Sequence, residues 1–310
     1  AENPPNGAVI TYWMKTTPQS ARQRRQEAAR GAAARSAATP YPSQAEQTAE
    51  ADEEAPQTFL TITDAGGKVV RRMTVPGNRG IHRFTWDLRG VPATLPQRGG
   101  RGGGGGGFGG GGGVGPFVAP GTYRAALSRR AGGTTTSLGD AQTIAVVADP
   151  NATLTPAQRT AATEYQDKVA KLQRAFAGAL EEANNMKTRT TAIRRAIVDS
   201  AADIKLLDDA SKFDARVTAI LRALRGDETL RGLESGAPST IQSRVGSAAA
   251  GAGGLTGAPT GTQQMNYTVA NDELNAEDAK LRALETELKR FEQQLEAAGV
   301  PYTPGRWPGQ

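Results

Sequence analysis

The stretch Thr143–Phe176, TIAVVADPNATLTPAQRTAATEYQDKVAKLQRAF, holds the change on which the fold turns. Its opening, TIAVVA, is a short β-branched run of strand type. Beyond Asp149-Pro150 the apolar period shifts from two to about three and a half. Thr155 precedes Pro156 and, three residues on, Gln158: a capping box with proline at the first helical position, which starts a helix. Tyr165, Val169, Leu172, Phe176, Ala179, Ala183, Met186, Ile193 and Ile197 then share one seam at alternating steps of four and three, broken only at Thr190. Run on to about Leu207, such a helix is about 75 Å long at about 1.5 Å per residue, and it needs partners.

The partners follow in the sequence. Phe213, Val217, Ile220 and Leu224 repeat the spacing, and so do Leu281, Leu284, Leu288, Phe291 and Leu295 before Gly299, a helix C-cap with Pro301 beyond it. Matching seams predict a three-helix antiparallel bundle or three-stranded coiled coil over residues 151–300. A Gly/Ala-rich linker at 246–264 separates the second helix from the third. The end, 301–310, is a Pro/Gly tail in which Trp307 is expected to pack on a neighbour.

Upstream of the switch, residues 1–150 read as short strands between turns. Ala8–Lys15 (AVITYWMK) follows the Asn6-Gly7 turn signal, and TFLTITD (58–64) and KVVRRMTV (68–75) flank Ala65-Gly66-Gly67 as a hairpin with Leu60 and Ile62 inward. IHRFTWDL (81–88) alternates, placing Phe84, Trp86 and Leu88 on one face, so Trp86 is the expected centre of this core. With TYRAALSRR after Pro120-Gly121 and with TIAVVA, about six strands result. The natural solution is an immunoglobulin-like antiparallel β-sandwich, giving α+β as separate domains. Two insertions interrupt it. Residues 16–57 run from basic to acidic with little apolar beyond alanine, and 89–119 carry a glycine tract; both are expected to be disordered, the first at most transiently helical.

Composition narrows the chemistry. The 310 residues include one histidine, His82, and no cysteine, so thiol nucleophiles, histidine triads and most metal sites lack their residue types. No catalytic residue, cofactor or metal site is predicted, and the chain is not expected to be an enzyme. His82 shares the side of Phe84 and Trp86 and reads as a structural histidine. Asp203, Asp208, Asp209 and Asp214 read as helix-capping and surface carboxylates. A net charge of +6 invites a nucleic-acid reading, but the arginines are spread along the chain. The nucleic-acid candidates are Arg98, Arg101 and Phe108, the residues that interrupt the glycine tract as in RGG segments. RGG segments repeat the triplet many times, whereas here only Arg98, Arg101 and Phe108 interrupt the glycine, and a loop is the expected role. No apolar run approaches the roughly 20 residues that span a bilayer.

Several phrases carry a resemblance. NPPNGAVITYW (3–13), LTITDAGGKVVR (60–71), GIHRFTWDLRG (80–90) and GPFVAPGTYRAAL (115–127) resemble the region that follows the β-propeller in bacterial sortilin-like proteins with BNR repeats, often catalogued as glycosyl hydrolases. The resemblance implies an immunoglobulin-like domain followed by long helices, a periplasmic or extracellular location, and an upstream propeller as partner. No blade-like repeat of about 40 residues is visible in this chain, and no family catalytic residue maps onto it. The chain opens on Ala1, which suits a processed chain or a fragment. The expected role is a non-catalytic accessory or scaffold region that supports or docks the propeller, with a protein partner or oligomer through the helices as a further expectation. The alternatives are an RNA- or polyanion-binding module using the Arg/Gly loop, and a part of a glycoside hydrolase whose active site lies outside this chain.

Overall fold

The computed structural model describes residues 7–38, 41–93, 115–148, 154–227, 239–250 and 258–306. The chain divides into two compact units, one of Ala1–Val91 with Phe117–Ala152, the other of Pro92–Pro116 with Thr153–Gln310.

The first unit is antiparallel β. Strand β1 (Ala8–Met14) pairs with β4 (Gly80–Trp86), and a second sheet orders β3 (Val69–Val75), β2 (Gln57–Asp64) and β5 (Gly121–Ala131), with β6 (Thr134–Ser137) and β7 (Gln142–Val146) sharing the outer edge of β5. Among the described residues that makes seven strands, where the alternation suggested about six. The short polar β6 has no apolar face to announce it. The Ala65-Gly66-Gly67 turn forms, with Gly67 at φ +82°, and sets Leu60 opposite Met73.

Both sheets feed one core. Tyr12, Met14 and Trp86 come from the first, and Leu60, Ile62, Val75, Tyr123 and Ala125 from the second. Trp86 is fully buried; its indole N–H donates to Arg89 O at 2.9 Å, and its ring meets Tyr123 edge-on at 5.5 Å. Tyr123 in turn donates its hydroxyl to Ala119 O at 2.7 Å. Strand β4 stops at Trp86, short of the expected Leu88. Leu88 takes φ +57°, and the chain beyond pairs Arg89 with Phe117.

The expectation of disorder over 16–57 is overturned. Helices α1 (Ala21–Ala33) and α2 (Gln44–Asp52) occupy it, although neither buries a residue. Each starts with a complete capping box, Ser20 with Gln23 and Ser43 with Glu46. Arg25 grips Glu50 with two hydrogen bonds, at 2.6 and 2.7 Å, and Glu53 accepts from the Ala21 N–H. Local capping and opposite charge supply what a core does not. Of the 89–119 insertion, the stretch 94–114 lies outside the described residues, and its flanks meet through the Arg89–Phe117 bridge.

The second unit is helical: α3 (Pro156–Val198), α4 (Leu206–Arg225), α5 (Ile241–Ala249) and α6 (Gly261–Ala297). The predicted capping box at Thr155 and Gln158 forms, and every seam residue of α3 is buried, Thr190 included. The helix ends earlier than Leu207, capped by Asp199, so at 43 residues it spans about 65 Å. The predicted linker at 246–264 is corrected at both ends. Its start is the last turn of α5, which buries Val245 and Ala248, and its end is the first turn of α6.

Contacts fix the directions. Tyr165 meets Tyr267 while Arg189 meets Glu285 and Glu292, so α3 and α6 run parallel. Phe213 stacks on Phe291 and Arg216 bonds Glu287, so α4 runs against α6. Gln263 reaches Ala250 O and Arg244 reaches Glu273, so α5 does the same one level down. After α6, Gly299 at φ +68° lets its own N–H reach Glu296 O and lets the Val300 N–H reach Leu295 O, a Schellman motif. Trp307 lies outside the described residues.

Candidate functional site

The best-buried ionisable groups of the helical unit are tied into the frame. Arg189 donates to Glu292 from the Nε–Nη2 edge of its guanidinium (2.9–3.2 Å) and to Glu285 from Nη1 at 2.7 Å, in a site where Arg189 is 13% and Glu292 9% exposed. Burial disfavours the charged guanidinium, but the two carboxylates outweigh it and hold the Arg189 pKa above its ordinary value. On the other side of α3, Asp214 accepts from Lys187 at 2.7 Å and lies 3.1 Å from the Thr190 hydroxyl. Thr190, the break in the apolar seam, is thus the polar register point between α3 and α4. Asp214 therefore departs from the surface role expected for it, because α3 covers it. Asp203 and Asp209 keep local partners, the Lys205 N–H and the Lys212 ammonium. Arg306 is buried on Glu296, Pro301 O and Val300 O, pinning the chain after α6 to that helix.

No group of three or more His, Asp or Glu among the described residues is placed to hold a metal ion. His82 is half-buried, its ring 5.3 Å from that of Tyr12 and its Nε2 2.7 Å from Asn78 O, an arrangement that packs a strand. The nucleic-acid candidates Arg98, Arg101 and Phe108 lie outside the described residues, so the structure brings none of them to a site. Several grooves open on the helices. One of about 520 Å³ lies between α3 and α6 over Met186, Leu274 and Leu281. Another, about 330 Å³, lies between α4 and α6 over Phe213 and Phe291, and its Arg216 and Lys212 are bonded to Glu287 and Asp209.

The outward face of β1 and β4 differs from these. Strand alternation that sends Tyr12, Met14 and Trp86 inward sends Val9, Thr11 and Trp13 outward from β1 and Ile81 and Arg83 outward from β4. Trp13 is directly opposite Ile81, and the two are 64% and 76% exposed; Val9, opposite Thr85, is 45% exposed. Thr11 sits between them, opposite Arg83. An exposed tryptophan beside an exposed isoleucine on a strand pair is the kind of contiguous apolar surface that marks interaction sites. The sequence carried the alternation of TYWMK, but not which face of β1 the second sheet would cover.

No family model, curated protein or solved structure matches the chain.

Proposed function

We propose that this chain is a non-catalytic accessory region of an exported protein, one that supports or docks an upstream β-propeller domain. The observation that carries this reading is the outward face of β1 and β4, where Trp13, Ile81 and Val9 stand in solvent on an ordered strand pair. Apolar side chains so placed contribute by being covered by another surface. The ionisable side chains of the helical unit support a scaffold role, since their best-buried members hold helices in register.

A finer reading of the architecture accompanies it. What supports an immunoglobulin-like sandwich is the pairing of β1 with β4 across from a β3-β2-β5-β7 sheet, together with a tyrosine near the start of β5 bonded back to Ala119 O, as in a tyrosine corner. What supports a three-helix bundle is the up-down-up course of α3, then α4 with α5, then α6, the two middle helices standing end to end in place of one. A periplasmic or extracellular location, and membership of the region behind the propeller in sortilin-like BNR-repeat proteins, rest on the phrases quoted above. No helix among the described residues is long and apolar enough to cross a membrane.

Two experiments test the reading. The coding sequence immediately upstream of Ala1 is expected to encode propeller repeats, and its absence of such repeats would sink the proposed partner. The chain alone is expected to turn over no member of a chromogenic glycoside panel. Turnover abolished by a point substitution within it would establish a catalytic centre and overturn the accessory role.

A further inference from the structure

Strand β1 has an edge as well as a face. Among the described residues its backbone bonds to β4 alone, so the opposite edge presents a row of N–H and C=O groups with no strand against it. The chain leaving β4, by contrast, is engaged: the Val118 N–H bonds Leu88 O, and Arg89 bridges to Phe117. Native sheets blunt such edges with bulges, prolines or covering elements, and the register of β1 with β4 runs from Ala8 to Met14 without a shift.

Charge on and beside this surface is mainly cationic: Arg83 is the charged residue within the two strands on the outward face, Lys15 follows β1 directly and Arg79 precedes β4, while the one flanking carboxylate, Asp87 after β4, is bonded to Arg71 at 2.9 Å. The exposed apolar area of Trp13, Ile81 and Val9 is on the order of 350 Å², within the range of functional patches. It is under half of the roughly 800 Å² that a stable pair of copies buries on each side, and a two-fold pairing of this face would bring Arg83 toward its own copy. A short segment that gains backbone hydrogen bonds at the edge does not need the larger area.

We propose that β1 is an acceptor strand, whose edge away from β4 takes up an extended segment of a partner polypeptide in which every second residue, on the outward face, runs apolar, acidic, apolar. The apolar residues of the added strand lie beside Val9 and Trp13. An acidic residue level with Thr11 lies two strand spacings from Arg83, about 10 Å, a gap that its side chain and the arginine close together over the small threonine. The inference deepens the accessory reading by naming the chemistry of what the face receives.

The test uses the full chain and two synthetic heptapeptides, Thr-Val-Thr-Glu-Thr-Val-Thr and the same peptide with lysine at the acidic position. Titration is followed by Trp fluorescence and by amide exchange of β1. The acidic peptide is expected to bind saturably and to protect β1 amides, while the lysine peptide does not bind. Trp13→Ala should weaken binding by roughly tenfold or more, and Arg83→Glu should exchange the preference for the acidic peptide for the lysine peptide. Unchanged thermal midpoints establish that both variants fold. The proposal is overturned by binding indifferent to both substitutions, or by no saturable binding of the acidic peptide. It is equally overturned if Trp13 governs binding of a cello-oligosaccharide, or self-association of the chain, in place of peptide binding. None of these outcomes touches the glycoside assay or the upstream coding sequence, so failure here is distinguishable from failure of the accessory role.

Discussion

Two tryptophans in paired strands divide the work of the β unit. Trp86 is fully buried, with its indole N–H bonded to Arg89 O, and Trp13 stands in solvent. Trp86→Ala should cost about 3–5 kcal/mol by opening a cavity and orphaning that carbonyl. Trp13→Ala should stay within about 0.5 kcal/mol; chemical denaturation of the two variants reads the difference. Gly7 is constrained by its neighbours: at φ +130°, a Cβ would stand 2.1 Å from Trp86 O, a backbone atom that cannot yield alone. Gly7→Ala should therefore loosen the start of β1 and destabilise the unit by about 1–3 kcal/mol, which the same measurement checks. At this scale the sequence was informative wherever alternation met a large side chain, as with Trp86, Leu60 and Ile62. It was silent about Gly7's contact, which depends on a carbonyl 79 positions away.

At the level of elements, the surprise is a helix pair with no buried residue. Apolar content predicted disorder for 16–57, because that criterion counts core formation and overlooks caps and complementary charge. Ser20 with Gln23 and Ser43 with Glu46 were readable as capping boxes, and Arg25 with Glu50 was readable only as two opposite charge runs. The Arg25 hydrogen bond holds the Glu50 pKa below its ordinary value of 4.5. A carboxylate depressed in the folded state contributes stability that is present above its unfolded value and lost as pH falls through the folded one. Protection factors of the Ala21–Ala33 amides, taken against the intrinsic exchange rate at each pH, should accordingly fall on acidification below 4.5 and on adding salt, with the β core still protected. Protection of α1 unchanged by salt would show that something other than charge holds the pair.

The same oversight hid α5. Ile241, Val245 and Ala248 lie at helical spacing behind a Thr240–Ser243 cap, yet glycine and alanine downstream made the whole stretch resemble a linker. Among the long helices the seams were legible because heptad spacing reports burial directly. The Arg189–Glu285–Glu292 cluster was not, since its members are about 100 positions apart. Glu292→Ala should cost the helical unit about 3–5 kcal/mol by stranding part of a buried charge, measured by loss of far-ultraviolet ellipticity against denaturant.

For the molecule as a whole, each buried cluster draws its members from a single unit. Trp86 belongs to the one formed by both sheets, and Leu288 to the one shared by α3, α4, α5 and α6. The proposed scaffold role rests on these two units, each with its own core, and on the outward face of β1. The measurement that tests this most directly is differential scanning calorimetry with circular dichroism on Trp86→Ala, Leu288→Ala and the double variant. Trp86→Ala should lower a β transition and spare most helicity, Leu288→Ala should do the reverse, and the two effects should add within about 0.5 kcal/mol. A single cooperative transition lowered alike by both substitutions would contradict the account and make the chain one core.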